Sequence, residues 1–84
     1  MKQLDAQQQL MVITAEECGE LTQVCSKILR QGTLEHKRQE LVEELGDIQC
    51  MINLMQEWDI ISFEELDQRV EVKREKLKKW SDLI

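Results

Sequence analysis

The chain has 84 residues, which is the size of one small domain with a thin hydrophobic core. Its net charge of −6 argues against a nucleic-acid-binding surface, because the phosphate backbone demands a basic footprint. The absence of Pro, together with only 3 Gly and one Phe, nearly excludes a β-rich fold, which needs turn residues and aromatic or β-branched runs.

The hydrophobic periodicity and the helix-stop signals predict three helices, at about 3–30, 34–58 and 63–82. Gly32 fits a left-handed stop for the first helix, and Thr33 fits an N-cap for the second. The second break lies near Asp59, after which Ser62 and Glu65 fit the capping box of the third helix. We therefore expect an all-α antiparallel bundle of three main helices, completed by oligomerisation because the core of one chain is thin.

The apolar stripe of the first helix contains an acidic residue. Spacings of three and four place six residues on one face: Leu10, Ile13, Glu17, Leu21, Val24 and Ile28. Glu17 lies in the middle of this stripe and Glu20 at its edge, one turn further on. The second helix repeats the pattern, because its stripe has Glu44 in the middle and Asp47 at the edge: Leu41, Glu44, Ile48, Met51 and Met55.

The two acidic pairs are predicted to meet. Helices joined by a short turn pack antiparallel, and both Glu17 with Asp47 and Glu20 with Glu44 are symmetric about Gly32. Four like charges at one level between two helices repel one another and are costly to bury, and one remedy is a divalent cation. All-oxygen ligation favours Mg²⁺, with Mn²⁺ as a substitute, before Zn²⁺.

Other charged residues are candidates for a role in metal or phosphate binding, and each also has a purely structural interpretation. Glu16 flanks the stripe beside Glu20 and is a candidate ligand or base, whereas Glu40 is a candidate for an outer position and Glu43 is expected to be solvated. Lys73 falls on the stripe of the third helix, either as a snorkelling side chain or as a partner for phosphate. Lys76 is the next candidate for contact with phosphate.

No Gly-rich phosphate loop and no Ser-His-Asp set occurs in the sequence. The chemistry that remains is a metal-activated water attacking phosphorus, with metal ions neutralising the developing charge. The alternative is a non-enzymatic metal- or nucleotide-binding helical oligomerisation module.

Two acidic motifs resemble a known family. The string Glu16-Glu17-Cys18-Gly19-Glu20, followed by Glu44-Leu45-Gly46-Asp47, is similar to the EExxE and ExxD signature of the MazG-type, all-α nucleoside triphosphate pyrophosphohydrolases. The extended string 43–48 and the basic segment 73–80 are similar to that family as well, so the resemblance spans about residues 10–80.

The resemblance implies an enzyme that hydrolyses NTPs or dNTPs to the monophosphate and pyrophosphate with Mg²⁺. It implies that Glu17, Glu20, Glu44 and Asp47 hold the metal and that Glu16 assists the metal or the water, so that Glu16 and Glu17 are catalytic. Members of the family assemble as dimers or tetramers, which implies a homo-oligomer here.

Cysteine usage and hydropathy indicate the compartment. The three cysteines are an odd number without a CxxC motif, so we expect them to be reduced and mostly packed. No stretch approaches the roughly 18 apolar residues of a membrane span, and the N-terminus lacks an apolar signal-peptide core. We therefore expect a single cytoplasmic domain over 1–84, with a nucleoside triphosphate as its partner and neither a membrane nor nucleic acid.

Overall fold

A computed structural model describes residues 3–84, and all regular structure within that range is helical. The three α-helices are α1 (Ala6–Gln31), α2 (Arg38–Glu57) and α3 (Phe63–Trp80). The all-α prediction and the three predicted helices are therefore confirmed. The backbone groups into two compact units, one reaching up to Asn53 and the other comprising Leu54–Ile84. The single domain expected over 1–84 stays a prediction.

The ends of α1 are defined by local hydrogen bonds. Asp5 is the N-cap, and its carboxylate accepts the Gln8 N–H at 2.7 Å while the Gln8 side chain accepts the Asp5 N–H at 3.0 Å. This reciprocal pair satisfies two donors that a helix start leaves free, so α1 begins at Ala6 rather than at residue 3 as predicted. Gly32 ends the helix at φ 73°, as predicted, and its N–H donates to the Ile28 carbonyl.

The connection between α1 and α2 is longer than the sequence predicts. Thr33 was expected to cap α2, but its hydroxyl accepts the Glu35 N–H at 3.1 Å, two residues on. That bond closes a tight turn, and the Lys37 N–H then donates to the Leu34 carbonyl at 3.0 Å. The predicted cap is therefore wrong, and α2 begins four residues later than expected, at Arg38.

The first unit has its core between α1 and the part of α2 up to Asn53. Leu10 and Val24 are the two buried side chains among the described residues, and the rest of the predicted α1 stripe is half-buried. The predicted α2 stripe is half-buried throughout its length. Glu17 of α1 lies beside Asp47 of α2, and Glu20 lies beside Glu44, which is the order that antiparallel helices give. The inward faces predicted for α1 and α2 are therefore confirmed.

The cysteines depart from expectation. Cys18, Cys25 and Cys50 are free of disulfides, as expected, but all three are exposed. Cys18 and Cys25 each follow an inward residue of α1, Glu17 and Val24, and one helical step of about 100° turns them away from the core. The expectation that they pack in the core of the chain is therefore wrong.

The second unit begins in the last turn of α2. Asp59 adopts a left-handed conformation at φ 58°, its N–H donates to the Gln56 carbonyl, and the Ile60 N–H donates to the Met55 carbonyl. These two bonds form a Schellman motif, in which Asp59 takes the place that Gly usually occupies. Ser62 then caps α3 in the predicted box with Glu65.

Candidate metal centre

Four carboxylates converge in the first unit. Glu17 and Glu20 lie one turn apart on α1, and Glu44 and Asp47 lie one turn apart on α2. One oxygen from each of them lies within 4.8 Å of the other three. We call these four residues the carboxylate cluster. The convergence that their symmetric spacing about Gly32 predicts is therefore present in the fold.

The cluster has an inner pair and an outer pair. Glu17 and Glu44 are half-buried on the inward stripes, whereas Glu20 and Asp47 are exposed at the edge. The Oε2 atoms of both inner glutamates are inaccessible to solvent and have no hydrogen-bond partner. Buried polar atoms are nearly always partnered, and leaving one unpaired costs about 1–3 kcal/mol. Two such oxygens in one cluster point to a ligand that supplies positive charge.

The pKa values of the inner pair reflect their surroundings. Burial, together with a hydrogen bond to Glu20 and repulsion from Glu20, Glu17 and Asp47, raises the pKa of Glu44 from its ordinary value of 4.5 to about 7. Burial also raises the pKa of Glu17, with repulsion from Glu20 and Asp47 as the next cause. Without metal, Glu44 is therefore partly protonated near neutral pH, and a cation has to displace that proton in order to bind.

The donor set fits a hard divalent cation. All four groups are carboxylates, the ligands that Mg²⁺ and Mn²⁺ prefer. Oxygens in one Mg²⁺ shell lie up to about 4.2 Å apart, since each is about 2.1 Å from the ion, and the 4.8 Å span of the cluster is close to that limit. The ion pairs among the described residues, Lys37 with Glu40 and Lys78 with Glu75, leave the cluster without a cationic side chain.

The structure places the remaining acidic candidates outside the cluster. Glu16 is exposed on α1, immediately before Glu17. Glu40 is half-buried and pairs with Lys37 at 3.3 Å, so its charge is already matched. Glu43 is exposed, as expected, and accepts the Gln39 side-chain N–H at 3.4 Å.

The two lysine candidates are exposed residues of α3 and belong to the second unit. The stripe predicted for α3 is half-buried at Leu66 and Leu77 and exposed at Lys73. A phosphate-binding role for Lys73 and Lys76 stays a prediction.

A hollow in the second unit was not foreseen from the sequence. It has a volume of about 480 Å³ and is lined by Gln56 and residues 59–65. Its charged side chains are Asp59, Glu64 and Glu65, and no basic residue lines it, so its charge is unfavourable for a phosphate chain.

Comparison with known proteins identifies a family. The family model described as MazG nucleotide pyrophosphohydrolase domain matches residues 5–80, which include all three helices and both acidic motifs. No curated protein and no solved structure matches the chain. None of the helices in residues 3–84 is long and apolar enough to cross a membrane.

Proposed function

Since the chain belongs to the MazG nucleotide pyrophosphohydrolase domain family, we propose that it hydrolyses nucleoside triphosphates, NTPs or dNTPs, to the monophosphate and pyrophosphate in an Mg²⁺-dependent reaction. The observation that carries the proposal is the carboxylate cluster, with its two buried and unpartnered oxygens. An acidic site with no cation of its own repels a triphosphate, so hydrolysis there requires bound metal ions.

The proposed ligands are Glu17, Glu20, Glu44 and Asp47. The inner pair, Glu17 and Glu44, presents oxygens that lack any other partner, and the outer pair closes the site on its exposed side. Four carboxylates exceed what one Mg²⁺ that keeps several waters needs, so the cluster has ligands enough for two ions. Bound Mg²⁺ supplies an activated water and neutralises charge on the phosphate oxygens.

The proposed role of Glu16 is to orient the attacking water or to take its proton. Glu16 is exposed and immediately precedes Glu17, so its carboxylate is open to solvent and free of a described ion pair. Lys73 and Lys76 are proposed to bind the phosphate chain, because their ammonium groups are exposed and of opposite charge to it. A homo-oligomer in the cytoplasm remains our expectation from the sequence.

The test is incubation of the purified protein with each common NTP and dNTP, in Mg²⁺ or in EDTA, with the nucleotide products separated by chromatography. Monophosphate with pyrophosphate, formed in Mg²⁺ and abolished by EDTA, is the expected result. Diphosphate with orthophosphate overturns the pyrophosphohydrolase proposal while leaving the metal site intact. A parallel series in Mn²⁺ is expected to retain activity, because Mn²⁺ accepts the same oxygen ligands.

The separation of the oxygens in the carboxylate cluster favours a non-enzymatic alternative, in which the cluster is a structural Ca²⁺ site. A span of 4.8 Å is slightly larger than an Mg²⁺ shell but lies within a Ca²⁺ shell, whose oxygens at about 2.5 Å from the ion lie up to about 5 Å apart. A structural Ca²⁺ site predicts that Ca²⁺ raises the melting temperature more than Mg²⁺ does and that no nucleotide is cleaved. Cleavage in Mg²⁺ that Ca²⁺ does not support excludes this alternative.

A further inference from the structure

A lysine of α1 lies on the face of the first unit where the carboxylate cluster opens. Glu20 and Asp47 each immediately precede an inward residue of their helix, so the cluster opens on the face that such residues form, which we call the open face. Lys27 immediately precedes the inward Ile28 and therefore lies on the open face as well, about two helical turns after Glu20.

The Lys27 ammonium has no carboxylate partner in the part of the chain that the structure describes. The ion pairs among residues 3–84 are Lys37 with Glu40 and Lys78 with Glu75. Lys27 is nevertheless half-buried, so the protein covers part of its side chain and limits where the charged end can reach. A cation that is held in this way and lacks a counter-ion is available to an anionic ligand.

Helix geometry directs Lys27 towards the cluster. Long side chains of an α-helix point back towards the N-terminus and cover the preceding turn. The Lys27 side chain therefore covers the turn of Gln23, which leaves about one more turn, or roughly 5 Å, between it and Glu20. Two oxygens on opposite sides of one Mg²⁺ lie about 4 Å apart, so a phosphate that shares an ion with the cluster reaches into this gap.

The turns around Lys27 form a hollow with positive charge. Its volume is about 390 Å³, and it is lined by Thr22, Gln23, Ser26, Lys27 and Arg30. Among the described residues no acidic side chain lines it, whereas Lys27 and Arg30 each contribute a cation. Ammonium and guanidinium groups bind phosphate through charge-assisted hydrogen bonds, so the charge of this hollow favours a phosphate group.

Charge along the open face differs on the two sides of the cluster. Towards the start of α1 the open face carries Glu16, which repels an anion. Towards the turn between the helices, beyond Glu43, it carries Lys27 and also Glu40, whose charge is matched by Lys37 at 3.3 Å. A phosphate chain that is anchored at the cluster is therefore attracted towards the turn.

We propose that Lys27, assisted by Arg30, binds the terminal phosphates of the substrate, so that the phosphate chain runs from the carboxylate cluster along α1 towards the turn. This inference rests on the proposed function, because it takes a nucleoside triphosphate as the ligand. It adds to Lys73 and Lys76 a cation from the same unit as the cluster. The two terminal phosphates are the part released as pyrophosphate, so pyrophosphate in Mg²⁺ is itself a ligand for Lys27.

Calorimetric binding of pyrophosphate in Mg²⁺ tests the inference without turnover. Lys27→Met keeps an apolar stem and removes the ammonium, and it should weaken pyrophosphate binding by about 10-fold or more, the usual loss for a hydrogen bond to a charged group. Binding of a nucleoside monophosphate should stay unchanged, because that ligand has no terminal phosphates. A purely structural role of Lys27 would weaken the binding of both ligands.

Arg38→Met is the matched control, because it also removes one positive charge from the first unit. Arg38 is exposed and follows the half-buried Lys37, so it lies on the side away from the open face. Its loss should change pyrophosphate affinity by less than about 2-fold, since charges far apart on the surface are screened by salt. Unchanged pyrophosphate binding in Lys27→Met, equal losses for both ligands, or a wild-type chain that binds no pyrophosphate overturns the inference.

Initial rates distinguish this inference from the proposed hydrolysis. We expect Lys27→Met to lower kcat/KM by about 10-fold or more and to keep the rise in melting temperature that Mg²⁺ alone produces, since Lys27 is not a metal ligand. A wild-type chain that hydrolyses nucleotides, with kcat/KM unchanged in Lys27→Met, overturns the inference and leaves the hydrolysis intact. Pyrophosphate binding that depends on Lys27, without hydrolysis of any nucleotide, supports the binding site and overturns the proposed hydrolysis.

Discussion

Glu17 and Glu44 are acidic residues in positions that otherwise belong to the hydrophobic contact between α1 and α2. An apolar residue at either position would add to a core that has only two buried side chains. Instead, each glutamate has a buried oxygen without a hydrogen-bond partner and is one of the four carboxylates of the cluster. The glutamates therefore make the fold less stable than apolar residues would. Such a loss is expected where side chains are arranged to bind a ligand rather than to stabilise the fold.

Removing one charge from the cluster should separate activity from stability. We expect Glu17→Gln or Asp47→Asn to lower Mg²⁺-dependent turnover by about 100-fold or more, because losing a ligand costs at least as much as losing a group that orients one. In EDTA each variant should melt at or above the wild-type temperature, since repulsion within the cluster is relieved. Initial rates and thermal melts measure the two effects.

Glu43→Gln is the matched control for those variants, because it removes one charge from an exposed residue beside the cluster. It should retain near-wild-type turnover. Full activity in Glu17→Gln, or unfolding of that variant in EDTA, would contradict the assignment of Glu17 as a ligand.

The raised pKa of Glu44 predicts a pH dependence of stability in the absence of metal. Between the ordinary value of 4.5 and about 7 the folded chain binds the Glu44 proton more tightly than the unfolded chain does. The free energy of unfolding contributed by this group should therefore be greatest below pH 4.5, fall as the pH rises to about 7, and level off above it. Urea unfolding in EDTA across this range measures it.

Glu44→Gln provides the comparison that isolates this group from the other titrating carboxylates. The difference in unfolding free energy between wild type and Glu44→Gln should change with pH in that window and be constant above it. A difference that does not change with pH would show that Glu44 does not titrate there.

At the scale of the elements, the turn that reverses the chain decides whether the acidic pairs meet. Gly32 ends α1 in a left-handed conformation, and no atom outside its immediate neighbourhood lies within 4 Å of where a Cβ would stand. The requirement for Gly here is therefore conformational rather than one of space. The Asp5 and Ser62 capping boxes define the starts of α1 and α3 in the same local manner.

Gly32→Ala should lower the free energy of unfolding by about 1–2 kcal/mol, the usual cost of a left-handed conformation for a residue with a Cβ. Gln31→Ala, at the exposed last residue of α1, is the control and should change stability by less than about 0.5 kcal/mol. Urea denaturation of both variants measures the difference, and equal midpoints would argue against the conformational explanation.

At the scale of the whole molecule, the small core makes the stability of the fold depend on ligands and partners that bind to it. An 84-residue chain buries a modest fraction of its surface, and ligands or partners that bind only the folded state raise its stability by mass action. The carboxylate cluster is such a point of linkage, because a cation bound there stabilises only the folded state.

We expect Mg²⁺ at about 100 times its dissociation constant to stabilise the fold by about 2.7 kcal/mol, which corresponds to a rise in melting temperature of roughly 10–20 °C for a domain of this size. The rise should disappear in Glu44→Gln, which loses an inner ligand, and persist in Glu43→Gln. Differential scanning calorimetry in EDTA and in Mg²⁺ measures it. An equal rise in all three chains would place the ion elsewhere.

Much of the candidate site could be predicted from the sequence, because periodicity and chain reversal are local properties. The i, i+3 spacing of Glu17 with Glu20 and of Glu44 with Asp47, together with the Gly32 stop, is enough to bring four carboxylates to one level. The start of α2 was predicted wrongly because the Thr33 hydroxyl accepts the Glu35 N–H in a turn instead of capping the helix. A threonine that closes a turn and a threonine that caps a helix look alike in the sequence.

By itself the sequence determined the helical class, the inward stripes of α1 and α2, the stop at Gly32, the capping box at Ser62, and the family resemblance that the match over residues 5–80 confirms. Only the tertiary structure decided which oxygens are buried and unpartnered and that the cysteines are exposed. The physical reason is that helical periodicity depends on neighbours along the chain, whereas burial and electrostatic repulsion depend on which atoms come together in space.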